Sequence, residues 1–253
     1  MIYELRTYTL IPGKQAEYLT LNLEVGRKIR GDNYGRLAGS WTTEFGTLNQ
    51  YVHLWEYPSL DERERLRGEL AKNDGWTKEY VPRIRGLMLA QENKILSPQL
   101  PLKPPADGGW LYELRWYRAH PGRIGEWITN IKGVMPAREK YSKIVGLWQT
   151  EAGQLNEAVH LWAYRDLNER AAVRAKAIAD PEWQAYLGRA TPLLVEMKSI
   201  ILIPAPSSPS KARPWWPSTR SSGICIAATR SSGRCSRTSS TPASRRRPTT
   251  SPR

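Results

Sequence analysis

Two pairs of short stretches put proton-transferring and anion-holding side chains at matching places in the 253-residue sequence. Histidine occurs only three times, and two of the three lie in "YVHLWEY" (Tyr51 to Tyr57) and "AVHLWAY" (Ala158 to Tyr164), as His53 and His160. Imidazole is the natural acid or base near neutral pH. The second pair sets a carboxylate two residues before a guanidinium, Glu4 with Arg6 in "YELRTY" and Glu113 with Arg115 in "YELRWY". Arginine can orient an anionic group through its fork of N–H donors. No nucleophile is apparent beside either histidine. One His and one Glu per stretch are too few ligands for a metal, so neither a metal nor a tightly held cofactor is expected.

The matching stretches belong to one internal duplication. "YELRTY" at Tyr3 returns at Tyr112 and "PGK" at Pro12 returns as "PGR" at Pro121, both 109 residues on. "GSWTTEFGTLN" at Gly39 returns as "GLWQTEAGQLN" at Gly146, only 107 residues on, so two residues are lost in between. Each copy reads as strand, helix, hairpin, helix, strand. Alternation in "IYELRTYTL" gives the first strand, and "FGTLN" joins two further strands as a hairpin. "SLDE" from Ser59 and "DLNE" from Asp166 read as capping boxes, and "DPEW" starts a short helix with Asp180 as cap and Pro181 behind it. The first copy has "NDGW" instead and should be looser there.

This is an α+β fold of two tandem ferredoxin-like β-α-β-β-α-β units, each a sheet with helices on one face. Two bare sheet faces in one chain would bury each other as a closed or nearly closed β-barrel with helices outside. The expected divisions are a first repeat over 1–98, a Pro- and Gly-rich linker over 99–109, a second repeat over 110–204 and a basic tail over 205–253.

Strand parity then assigns faces. If the aliphatic Val52, Leu54, Val159 and Leu161 face the helices, then His53, Trp55, Tyr57, His160, Trp162 and Tyr164 face the barrel interior. The same reasoning sends Glu4, Arg6, Tyr8, Glu113, Arg115 and Tyr117 inward from the first strands, with Trp41, Thr43, Trp148 and Thr150 from the second. Val145 and Leu147 go to the helix side. Convergent polar groups on an aromatic wall suit a small-molecule site. The alternative is that these groups satisfy one another, with Trp filling volume.

These residues also carry a family resemblance. "YELRTYTLIPGK", the Gly39 to Tyr57 core, its echo from Gly146 to Tyr164 and "DPEW" resemble the NIPSNAP family, over about residues 2 to 204. The resemblance implies the dimeric α/β-barrel superfamily, here completed within one chain. It places His53 and His160 at the family's HLW histidine, and Arg6 and Arg115 at its ELR arginine, without assigning roles. Animal members are associated with mitochondria and with vesicle- or mitophagy-related interactions. Related barrels include cofactor-independent monooxygenases.

The net charge of +14 is concentrated at one end. Residues 205 to 253 hold ten of the 38 Lys and Arg and none of the 24 acids, which leaves +4 for the body. That tail lacks Leu and Val, repeats "TRSSG" and carries both cysteines, Cys225 and Cys235. Its composition favours disorder and out-of-frame translation over an RNA- or membrane-binding arm. Nucleic acid is therefore not expected as a partner, except through the tail. No apolar run approaches the roughly 18 residues of a membrane span, so a cytoplasmic protein without membrane contact is expected. The leading expectation is binding of a small apolar or aromatic ligand between the sheets, with near-equivalent halves. Cofactor-independent oxygenation or isomerisation, and a protein interaction module, are the alternatives. A tandem repeat satisfies internally the pairing that single units obtain by dimerising, so the chain is expected as a monomer or a higher homo-oligomer.

Overall fold

The computed structural model describes residues 1–107 and 110–209. The first copy runs β1 (Ile2–Leu10), α1 (Gln15–Leu21), a π-helical turn (Asn22–Gly26), α2 (Arg27–Arg30), β2 (Arg36–Phe45), β3 (Gln50–Tyr57), α3 (Leu60–Leu70), a second π turn (Gly75–Tyr80), α4 (Val81–Arg85) and β4 (Met88–Leu100). The second runs β5 (Leu111–Ala119), α5 (Ile124–Arg138), β6 (Ile144–Ala152), β7 (Glu157–Tyr164), α6 (Leu167–Ile178), α7 (Pro181–Ala190) and β8 (Leu194–Pro204). The eight strands close into an antiparallel barrel in the order β1-β3-β2-β8-β5-β7-β6-β4. Among the described residues no helix is long and apolar enough to cross a membrane.

Closure depends on strands that serve both copies. β4 pairs with β1 through Tyr3↔Leu96 to Leu10↔Met88, then continues onto β6 through Ile95↔Ala152 to Leu100↔Leu147. β8 likewise pairs with both β5 and β2. Gln99 and Leu100, expected in the linker, are therefore strand, continuing through Pro98. The missing N–H is tolerated because the pairing shifts register between Pro98 and Leu100. At the other end the described residues continue past Pro204. Ala205 is buried and donates its N–H to Ser40 O at 2.9 Å, and Ser207 Oγ lies 3.1 Å from both Ser40 Oγ and Tyr51 Oη. The rest of the tail, 210–253, lies outside the described residues.

Local signals account for the helix ends. Ser59 Oγ accepts from Glu62 N, Asp166 Oδ1 from Glu169 N, and Asp180 Oδ1 from both Glu182 N and Trp183 N. In "NDGW" Asn73 takes over the capping role, its Oδ1 accepting from Trp76 N at 3.1 Å, but the turn behind it is π-helical.

The π turns also explain where residues were gained or lost between copies, because a π turn is a one-residue insertion in a helix. Tyr18 and Trp127, 109 apart, begin the first helices, yet Arg30 and Arg138, which both stack on tryptophan, are 108 apart. The first π turn lies between. Trp76 and Trp183 are 107 apart, whereas the tyrosines stacked on them, Tyr80 and Tyr186, are 106 apart. The second π turn absorbs that residue and keeps Tyr80 in place.

Candidate functional site

The aliphatic face of the strands lines the barrel interior, contrary to the parity assignment from sequence. Leu5, Val52, Leu54, Leu96, Leu114, Val159, Leu161 and Leu202 cluster there with Trp41 and Trp148. Both faces of this sheet are covered, so hydrophobicity alone could not say which one meets the helices. The reason lies in what each layer can supply. A closed barrel interior holds only side chains from its own strands, whereas the helices can send long arginines onto the other face. Glu4, Arg6, Tyr8, His53, Trp55 and Tyr57 therefore face the helices of the first copy, and Glu113, Arg115, Tyr117, His160, Trp162 and Tyr164 those of the second. Only Trp41, Thr43, Trp148 and Thr150 point inward. Bulges at Leu37/Gly39 in β2 and Ile144/Gly146 in β6 set that parity, which also turns Val145 inward while Leu147 stays on the helix side. Thr150 Oγ1 donates to Glu157 Oε1 at 2.8 Å, and Lys94 pairs with the same carboxylate, so the polar mouth of the barrel satisfies itself.

Register fixes the order of groups along each helix-facing strand pair. Glu4 lies opposite Trp55, Arg6 opposite His53 and Tyr8 opposite Tyr51; Glu113, Arg115 and Tyr117 meet Trp162, His160 and Ala158 in the same way. Onto this floor the helices project arginines that sequence reasoning did not select. Arg63 and Arg67 of α3 reach Glu4 at 2.5 and 3.8 Å, and Arg170 and Arg174 of α6 reach Glu113 at 2.6 and 3.9 Å. Arg6 and Arg115 bind the same carboxylates at 2.8 and 2.9 Å. Arg30 stacks 3.3 Å above the Trp55 ring and Arg138 4.6 Å above Trp162. The signal was present in the repeat, since Arg63 and Arg67 recur exactly one 107-residue period later as Arg170 and Arg174.

Charge does not balance in either half. Four arginines surround one carboxylate, and burial, which alone would raise the Glu4 carboxyl, is outweighed by the Arg63 hydrogen bond and the Arg6 and Arg67 charges that hold it below the ordinary carboxylate range. Glu113 is lowered against burial in the same way by Arg170, Arg115 and Arg174. Burial in turn pulls the Arg30 and Arg138 guanidinium groups down. The histidines are neutral: burial first, then the facing arginines, push His53 and His160 well below the usual imidazole range.

Each imidazole is fixed in one tautomer. Trp55 Nε1–H donates to His53 Nδ1 at 2.7 Å, and Trp162 Nε1–H to His160 Nδ1 at 2.7 Å. The proton therefore sits on Nε2, which in both histidines is buried without a hydrogen-bond partner. Each histidine offers the pocket a donor and no basic lone pair. Arg30 Nε and Arg115 Nε are also buried and unpartnered. Around these donors lie two cavities of about 150 Å³. One is bounded by Arg6, Arg30, His53, Trp55, Arg67 and Trp76, the other by Arg115, Arg138, His160, Trp162, Arg174 and Trp183.

The NIPSNAP family model matches residues 3–100 and again 112–209. The chain belongs to the NIPSNAP family. Among its relatives, human NipSnap homolog 3A is 34% identical over 217 residues, covering 83% of this chain and 86% of that protein. The NipSnap homolog of Dictyostelium discoideum is 30% identical over 210 residues, covering 80% of this chain and 87% of its own. Among solved structures, a Lactobacillus acidophilus NCFM protein named as a candidate monooxygenase superposes with a TM-score of 0.60 at 11% identity, covering 81% of this chain and 93% of that one. At that identity the likeness is one of fold, the dimeric α/β barrel. The NIPSNAP duplication thus carries two copies of one arginine- and tryptophan-rich pocket.

Proposed function

We propose that this NIPSNAP protein binds a small aromatic anion, one per repeat, in the pockets between sheet and helices. The single observation that carries the reading is the surplus of donors: four arginines to one carboxylate in each half, with a neutral histidine N–H left unpartnered. Buried donors without partners and buried charges without counter-charges are costly, typically 1–3 kcal/mol for a lost hydrogen bond and more for a charge. An oxyanion would satisfy both. Tryptophan walls favour a flat ring behind it, and about 150 Å³ is the volume of a cavity that holds benzene. This moves the expected ligand from between the sheets to the opposite sheet face, keeps Arg6 and Arg115 as anion-orienting groups, and makes His53 and His160 donors.

Isothermal titration with benzoate and with benzyl alcohol tests the reading. Benzoate is expected to bind the full chain with two sites while the neutral analogue does not, and the double variant Arg30→Met/Arg138→Met is expected to weaken benzoate at least tenfold. Equal binding of both compounds, or an unchanged affinity in the folded double variant, would refute it.

A further inference from the structure

The two pockets match at the arginine end, apart from Arg27, which lines the first and pairs with Asp32, and differ at the other. In the first copy, Tyr18, Asn22, Tyr51 and Tyr80 form a connected polar cluster. Asn22 Nδ2–H donates to Tyr80 Oη at 3.0 Å, Tyr51 O–H donates to Asn22 Oδ1 at 3.2 Å, and Ser207 Oγ lies 3.1 Å from Tyr51 Oη. The corresponding positions in the second copy are Trp127, Ile131, Ala158 and Tyr186, of which only Tyr186 keeps a hydroxyl. Trp127 lies 5.7 Å from His160 between ring centroids, and its Nε1 is buried without a partner.

Hydrogen-bond inventory turns this difference into selectivity. Tyrosine hydroxyls and the Asn22 carbonyl oxygen can accept a hydrogen bond from a ligand hydroxyl. Indole N–H only donates, and Ile131 and Ala158 do neither. This end of the floor begins two strand residues beyond the Arg6–His53 pair, roughly 7 Å and about one benzene ring away. A ring acid anchored at Arg6 therefore brings its far substituent to the polar cluster, while the same acid anchored at Arg115 brings it to an end where Trp127, Ile131 and Ala158 replace three of the four polar groups and the Tyr186 hydroxyl stays as acceptor.

We infer that the two repeats have divided their labour: the first pocket takes an aromatic acid carrying a hydroxyl remote from its acid group, and the second takes the unsubstituted aromatic acid. The inference rests on the reading that both pockets hold ring acids, and it replaces the near-equivalence expected from the matched strand motifs. The divergence sits on helix positions and on one strand position, Tyr51 against Ala158, the first residue of the matched "YVHLWEY" and "AVHLWAY" stretches.

The test is isothermal titration of benzoate and 4-hydroxybenzoate into full-length Arg30→Met, which leaves the second pocket intact, and Arg138→Met, which leaves the first. The rim variants Arg67→Met and Arg174→Met serve as a second pair should a buried change impair folding. With the second pocket alone, benzoate is expected to bind at least tenfold tighter than its hydroxylated analogue, since a buried O–H that loses the Asn22 and Tyr51 acceptors is disfavoured by that order. With the first alone, the preference is expected to reverse. Adding Ile131→Asn and Ala158→Tyr to Arg30→Met should move its ratio toward that of Arg138→Met. The same preference in both single-pocket variants would overturn the division and leave anion binding standing. No binding of either acid by any folded variant would remove anion binding itself, and the division with it.

Discussion

Glu4 and Glu113 each hold three arginines within 4 Å and face a fourth stacked on tryptophan, so among the described residues a single carboxylate is the fixed counter-charge of each cluster. Removing one leaves buried cations unpaired. Glu113→Gln is expected to lower stability by about 3 kcal/mol, the usual cost of breaking a buried pair from one side, and chemical denaturation would show it as a reduced midpoint. The histidines act at a different pH. Each is held neutral in the fold and protonates freely once unfolded, so its contribution is present above the unfolded value near 6.5 and is lost as pH falls below it. The carboxylates, held ionised, add their own loss only below about 4.5. Between pH 6.5 and 4.5 stability should therefore fall by up to about 1.4 kcal/mol per pH unit per histidine. His53→Phe/His160→Phe should flatten that slope, and an unchanged acid slope in the variant would contradict the neutral buried imidazoles.

At the scale of elements, the order of elements along each copy, the hairpins and the capping residues were legible because turn chemistry and period-two alternation are local signals. "FGTLN" turns through Gly46 and Asn49, both at positive φ, as the hairpin required. The helix-facing strand residues of the candidate site were legible, since the repeat marked them, but not the face they share, nor the arginines that the helices bring onto it. A sheet covered on both sides gives parity without direction. The bulges were not legible either, although their glycines were. A Cβ on Gly146 would collide with the Trp148 indole that folds over it, and Gly39 stands in the same relation to Trp41. Gly146→Ala is expected to cost about 1–3 kcal/mol by overpacking, whereas Gly133→Ala on α5, where a Cβ meets nothing within 4 Å, should be neutral or slightly stabilising. Thermal melts of the two variants separate these outcomes.

At the scale of the molecule, the duplication makes one barrel and not two domains, because β4 and β8 each hydrogen-bond to both copies. The repeat implied that two sheets would meet. It did not show that Ser97–Leu100 would cross over, since proline in a strand reads as a break. Unfolding should therefore be a single transition, with calorimetric and van't Hoff enthalpies equal; two resolved transitions would mean that the halves fold independently. The central claim concerns where a ligand sits, and crystallography of the full chain with 3-bromobenzoate tests it most directly through the anomalous signal of bromine. The account predicts a peak in each helix-side pocket, with the carboxylate within hydrogen-bond distance of His53 Nε2 and His160 Nε2. Peaks confined to the barrel interior, or none in either pocket at saturating ligand, would contradict it.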